Sequence, residues 1–371
     1  MQREWHKAAH VPSFAGLIGK AHLGSAPIWR NDFMKKLRIG IVGLGRLGKV
    51  HAQNIAYKIP NAELTAACSI VPAELEYAKQ ELGVTDVYTD YREMLAKADI
   101  DAVVIVTTSS EHCWQIEAAL DAGKHVFSEK PLGVDVAQCK QAEAAVERHP
   151  DLIFMLGFMR RYDHSYQVAK QKMENGDIGD VILVRCYSQD PISIIQGTLE
   201  YAPRSGGQFI DMSIHDIDLI RWLTGSEPKK LWAIGGCFEF KQYKDWDDGD
   251  NVSCLMQCEN DAMAFFFAGR AAAHGSHVET EIVGTRGTLR IAGVPASSMV
   301  EVMSEHGVCR ECYQDFVTRW HDAYITEMEE FCDCVAKGRQ GSPNVYDGTA
   351  STNIAFRCKE SFLKNELLML E

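Results

Sequence analysis

"IGIVGLGRLGKVHAQN", residues 39–54, carries an apolar strand-like run into Gly43, Gly45 and Gly48 and opens a helical period at Arg46. Glycines in the Gly-x-Gly-x-x-Gly spacing between a strand and a helix each answer a steric demand. Gly43 permits a tight turn, Gly45 lets backbone approach a pyrophosphate with no side chain in the way, and Gly48 allows close helix–sheet packing. The helix N-terminus adds free N–H groups and a partial positive charge for the phosphates. The spacing alone is weak evidence, but in the first strand–turn–helix unit it predicts dinucleotide binding.

Strand and helix keep alternating beyond this loop. "ELTAACS" (63–69) reads as a strand and "PAELEYAKQELG" (72–83) as a helix, with Pro72 in its first turn and Gly83 past its end. "DAVVIVTT" (101–108) is a continuous apolar run fit for a central parallel strand, and "HVFSEKP" (125–131) is the next strand with its exit. The pattern predicts an α/β Rossmann domain over 34–155, a doubly wound parallel sheet. Residues 1–33 carry no sustained period and read as an N-terminal extension. After about residue 155 the character changes. Helices near 163–175 and 207–224 flank a strand around 180–187, then strand-like runs follow one another from 229 to 293 without helices between. A second α/β domain over 156–371, with a large, mostly antiparallel open sheet and a helical C-terminal portion, is the expectation.

The second strand of such a nucleotide unit normally ends on an acid that accepts from the adenosine ribose hydroxyls. Here Ser69 stands at that place, followed by Ile70, Val71 and Pro72. Serine does not repel a 2′-phosphate as an acid does, yet no Arg or Lys follows to hold one. NAD is therefore the expected cofactor, with NADP left open.

A second concentration of chemistry lies in "SGGQFIDMSIHDIDLIRWLTG" (205–225). At about 100° per residue, Asp211, His215 and Asp218 share one stripe, walled by Ile210, Ile214 and Ile217 on one side and by Met212, Leu219 and Leu223 on the other. A polar stripe so walled faces protein or a cleft, and its groups are paired or functional. A histidine satisfied by a carboxylate inside a packed helix is the plainer alternative. Lys130 shifts the balance, because it stands at the exit of a Rossmann strand, where ligands bind.

Together, Gly43-x-Gly45-x-x-Gly48, "EKP" at 129–131 and the run from Gly206 to Asp218 resemble the Gfo/Idh/MocA family of sugar and polyol oxidoreductases. "GFMRRYDHSY" (157–166) resembles its inositol dehydrogenase branch. The resemblance spans the chain from about Met34 to its end. It implies a Rossmann domain, a second domain whose open sheet face builds a homotetramer, and no metal. Carried over by motif position, Lys130 would bind and polarise the reacting hydroxyl, His215 would be the general acid/base, and Asp211 would orient that histidine. Arg160, Asp218 and Tyr324 would contact substrate hydroxyls, with His321 a weaker candidate than Tyr324. Cofactor contacts would come from Gly43, Gly45, Arg46, Leu47 and Gly48 in the loop. Ser69, Thr107, Glu129 and Lys130 would add to them from the strand ends.

The expected activity is reversible NAD-dependent oxidation of a secondary alcohol of an inositol (scyllo- or myo-inositol) or a related sugar. Two rivals stand beside it: NADP-linked reduction of a keto-inositol or sugar, and a non-catalytic nucleotide-sensing protein. The latter need not keep Lys130, Asp211 and His215 together. Bulk composition fits a cytoplasmic enzyme. The 371 residues exceed what one core usually serves. A net charge of −13 argues against nucleic-acid or anionic-membrane partners. No apolar stretch approaches the roughly 18 residues of a membrane span. Twelve cysteines lie scattered; the local pairs Cys309/Cys312 and Cys332/Cys334, with His306 and His321 nearby, lack convincing zinc spacing and read as ordinary thiols.

Overall fold

The computed structural model describes residues 36–291 and 293–370. The expected N-terminal extension, 1–33, lies outside the described residues.

The first sheet forms as the alternation predicts. Its strands are β1 (Leu37–Val42), β2 (Ala62–Cys68), β3 (Asp86–Tyr88), β4 (Ala102–Ile105), β5 (His125–Glu129) and β6 (Phe154–Gly157). Helices α1 (Arg46–Tyr57), α2 (Pro72–Leu82), α3 (Tyr91–Lys97), α4 (His112–Asp121) and α5 (Val136–Arg148) connect them. The order β3-β2-β1-β4-β5-β6 is parallel throughout. The order reverses between β1 and β4, and this switch point opens the crevice where ligands bind. All four residues of β4 are buried, as a strand covered on both faces requires. Pro72 starts α2 and Gly83, at φ 70°, ends it.

The chain continues through α6 (His164–Glu174), β7 (Val181–Pro191), α7 (Ile195–Tyr201), α8 (Gln208–Asp211) and α9 (Ile214–Thr224). Strands β8 (Pro228–Gly236), β9 (Asn251–Cys258), β10 (Met263–Ala272), β11 (His277–Gly284) and β12 (Thr288–Ile291) follow. With β15 (Leu368–Met369) they give a seven-stranded sheet, β12-β11-β7-β10-β9-β8-β15, in which only β7 and β10 run parallel. Helices α10 (Phe316–Arg319), α11 (His321–Lys337) and α12 (Val345–Lys364) complete the described chain.

One face of the second sheet packs under α6, α8, α9 and α12, through residues such as Cys186, Phe209, Leu219, Met256, Phe266 and Ala355. The other face is apolar and open: Trp232, Ile234 and Leu255 are 43%, 46% and 54% exposed. Helix α11 crosses to the first sheet, where Met328, Phe331 and Cys332 pack with Ile39, Val104 and Phe127. The first sheet is thus roofed by a helix from much later in the chain.

Two differences from the sequence pattern have physical causes. The single helix expected over 207–224 is broken: the Met212 and Ser213 N–H groups both bond Gln208 O, and the helix restarts at Ile214. A hairpin, β13 (Ala296–Ser304) with β14 (Gly307–Cys312), was missed because nearly all its residues are exposed. It has no buried face, hence no inward alternation to read.

Candidate active site

The glycine loop is shaped as its spacing requires. A Cβ on Gly43 (φ +87°) would stand 2.5 Å from Val106 O, and one on Gly48 would stand 2.1 Å from Gly43 O. At Gly45, by contrast, nothing lies within 4 Å of that position. Two glycines are therefore fixed by packing, while the third faces open space at the N-terminus of α1, the cradle a diphosphate needs.

That space belongs to a cavity of about 870 Å³ running along the strand ends to the second sheet. Gly43, Gly45, Arg46 and Leu47 line it, as do Ser69, Thr107, Glu129 and Lys130. At the far end stand Arg160, Asp211, His215 and Tyr324. The cavity thus unites the glycine loop with the groups singled out downstream. Gly48 packs behind the loop, and His321 is exposed and bonds Asp322.

Lys130 Nζ donates to Asp211 O at 2.8 Å and lies 3.7 Å from Asp211 Oδ1. The Asp211 carboxylate accepts from Arg270 at 2.5 Å, and the same guanidinium reaches Asp190 at 2.7 Å. A chain Lys130–Asp211–Arg270–Asp190 results. Burial alone would raise the Asp211 carboxyl, but the charges of Arg270 and Lys130 outweigh it and hold it below its ordinary value. Asp211 is therefore ionised and keeps the two cations in place.

His215 projects from the first turn of α9, 7% exposed, against the ring of Phe158. Its Nδ1 is buried without a hydrogen-bond partner among the described residues. Burial, followed by the positive charges of Lys130 and Arg160, pushes its pKa well below the ordinary value. A neutral imidazole at neutral pH is a proton acceptor. The expected orientation of His215 by Asp211 is not seen. The break after Asp211 removes the one-turn stacking, and its carboxylate is committed to Arg270 and Lys130.

Asp218 likewise departs from expectation. Both its oxygens accept from Arg161, at 2.8 and 2.6 Å, and it is 1% exposed. It lies outside the cavity lining and pins α9 to the 159–162 turn instead of meeting a ligand. Arg160 is held from behind by Asp216 at 2.6 Å and by Ser188 at 3.0 Å. Tyr324 meets His51 edge to face at 5.5 Å. His51 Nε2 in turn bonds Glu129 Oε1 at 2.7 Å, and Glu129 Oε2 accepts from the Lys130 N–H. Glu327 completes this buried group; its oxygens lack hydrogen-bond partners among the described residues, and burial next to Glu129 raises its pKa well above the ordinary value.

Sequence inspection missed Arg270, Asp190, Asp216 and Glu74. The signal for Arg270 was present, since one arginine interrupts the apolar run "AMAFFFAGRAAA" (262–273). Asp216 sits beside His215 but falls off the stripe that was read. Glu74 stands in the first turn of α2 and lines the cavity. Ser69, expected to meet the ribose directly, donates to Glu74 Oε2 at 2.5 Å and accepts from the Val71 N–H at 3.0 Å.

Residues 37–158 match the family described as "Oxidoreductase family, NAD-binding Rossmann fold", and 166–290 match its "GFO/IDH/MocA C-terminal domain". The scyllo-inositol 2-dehydrogenase (NAD(+)) of Bacillus subtilis is 32% identical over 88% of this chain and 94% of its own length. A structure of scyllo-inositol dehydrogenase from Lactobacillus casei with bound NAD(H) and scyllo-inositol has 48% identity and a TM-score of 0.88, covering 90% of this chain and 99% of that one. The myo-inositol 2-dehydrogenase of Lactobacillus plantarum follows at 39% identity and a TM-score of 0.89, covering 91% and 100%. With both halves of the fold matched and the glycine loop, Lys130 and His215 lining one cavity, the chain belongs to the Gfo/Idh/MocA oxidoreductase family.

Proposed function

We propose that this protein is an NAD-dependent dehydrogenase that oxidises a ring secondary alcohol of an inositol, scyllo-inositol foremost, to the ketone. The single observation that carries this is the cavity in which the glycine loop shares a wall with Lys130 and the unpartnered His215. The order of substrates rests on the greater identity to a scyllo-inositol enzyme, 48% against 39% for a myo-inositol enzyme.

NAD, when bound, supplies the hydride acceptor at nicotinamide C4. A secondary alcohol releases hydride from carbon only as its hydroxyl proton finds a base, and neutral His215 takes that proton. Lys130 binds the same oxygen and stabilises the alkoxide as it forms. Asp211 and Arg270 hold Lys130 at that point instead of touching the reacting carbon. Arg160 and Tyr324 meet the ring hydroxyls remote from the reaction. Ketone reduction uses the same groups in reverse, with protonated His215 as a strong acid. Residues 34–155 serve the nucleotide, and 156–371 serve substrate and assembly. The open apolar face around Trp232 and Leu255 fits a second copy of the chain, in keeping with a homotetramer. The reaction draws on the intracellular NAD pool, which makes the cytoplasm its place.

Initial rates over a panel of inositols and aldoses, each with NAD and with NADP, test the proposal. Scyllo-inositol with NAD is expected to give the highest kcat/KM, and His215→Ala to lower kcat by roughly 10² to 10⁴-fold with NADH binding intact. Absence of nicotinamide reduction across the panel overturns it.

A further inference from the structure

The place where a ribose-reading acid is ordinarily found holds Ser69, yet the cavity wall beside it is not without acid. The segment from Cys68 to Asp90 contributes Ser69, Glu74 and Asp90 to the lining but no Lys or Arg. Asp90 is held at the start of α3, where its Oδ1 accepts from the Glu93 N–H at 2.8 Å. Glu74 is placed differently. It sits in the first turn of α2, where the helix dipole favours a negative charge, and α2 has no side-chain cap competing for it. The Ser69 hydroxyl tethers one carboxylate oxygen, Oε2, at 2.5 Å. The other, Oε1, makes no hydrogen bond or ion pair among the described residues. Ser69 itself is 6% exposed, its proton given to Glu74 and a lone pair to Val71, so little of it remains for a ligand.

We infer that Glu74, held by Ser69, reads the adenosine ribose and makes the site selective for NAD over NADP. The acid has moved from the end of β2 to the first turn of the next helix, and the serine is its anchor. A half-buried carboxylate accepts from the ribose 2′- and 3′-hydroxyls through charge-assisted hydrogen bonds, and it repels a 2′-phosphate. The cations that line the cavity have partners of their own: Arg160 pairs with Asp216, Arg270 and Lys130 with Asp211, and Arg46 lies over the Phe316 ring at 4.5 Å. Among the described residues, the 68–90 segment brings no Lys or Arg to the lining to offset the repulsion.

The inference rests on the dinucleotide site proposed above, so its test reads binding and needs no turnover. The full-length protein and the variants Glu74→Gln and Glu74→Lys are titrated with NADH and with NADPH, following nucleotide fluorescence. Wild type is expected to bind NADH and discriminate strongly against NADPH. Glu74→Gln should weaken NADH binding and shrink the NADH/NADPH affinity ratio by roughly tenfold or more, the worth of a hydrogen bond to a charged group. Glu74→Lys should shrink the ratio further by tightening NADPH. Wild-type discrimination that persists unchanged in both variants overturns the role of Glu74 while the dinucleotide site stands. Failure of wild type to bind either nucleotide overturns the site itself.

Discussion

Replacing Arg270 by leucine removes the cation that binds two acids at once. Its side chain is 6% exposed, while those of Asp211 and Asp190 are 16% and 22% exposed. Breaking a buried ion pair by deleting one partner costs about 3–5 kcal/mol, because the charge left behind is uncompensated. Both acids retain some contact with solvent and Asp211 keeps Lys130 nearby, so the lower end, about 3 kcal/mol, applies here. Equilibrium urea unfolding of the full-length variant at neutral pH measures it. The pH dependence has a definite sign. The folded carboxyl of Asp211 is held below its unfolded value of about 3.9, so its stabilisation is present above that pH and is lost as pH falls through the folded value. The deficit of Arg270→Leu should therefore shrink in acid. Adding Asp211→Asn should return part of the lost stability, because the orphaned charge is gone. A loss below about 1 kcal/mol in the single variant, within the range of exposed pairs, or simple additivity in the double variant, would refute this account of the network.

Two more outcomes follow from buried titratable groups. The acidic limb of kcat/KM for alcohol oxidation should lie below the ordinary histidine value of about 6.5, because burial and the Lys130 and Arg160 charges favour neutral His215. Lys130→Met should move that limb upward as well as slow the reaction; a pH profile with the limb unmoved would separate Lys130 from His215. Glu327, raised by burial beside Glu129, keeps its proton in the fold while the unfolded chain loses it above about pH 4.3. Stability should then fall with rising pH by up to about 1.4 kcal/mol per unit, and Glu327→Gln should abolish that slope in urea midpoints between about pH 5 and 8. An unchanged slope would show that Glu327 ionises in the fold.

The parts legible in the sequence are those whose chemistry is local. The glycine loop could be read because a tight turn, a close backbone approach and close helix packing each demand glycine within six residues of chain, and α1 begins at Arg46 where that pattern places it. Of the two cysteine pairs, Cys332 and Cys334 are buried, whereas Cys309 is exposed and Cys312 half-buried on the hairpin that the pattern did not show. Long-range pairing left weaker traces. Arg270 meets Asp211 across 59 residues, and the Arg160–Asp216 pair spans 56. Helical periodicity put Asp211, His215 and Asp218 on one stripe because it assumes an unbroken helix, and the break at Met212–Ser213 defeats that assumption. Asp218 then goes to Arg161 and Asp211 to Arg270, while His215 Nδ1 has no hydrogen-bond partner among the described residues. Ser69 was read as a missing acid because the replacement arrives five residues later, on a helix instead of a strand end.

Hydride transfer from a ring carbon is the central claim, and isotope transfer tests it most directly. The full-length protein is incubated with NAD and scyllo-inositol carrying deuterium at every ring carbon, and the nicotinamide product is examined by mass spectrometry and proton NMR. NADH bearing a single deuterium at C4, formed together with the inositol ketone, is the predicted result. Unlabelled NADH, or no NADH at all, would contradict it.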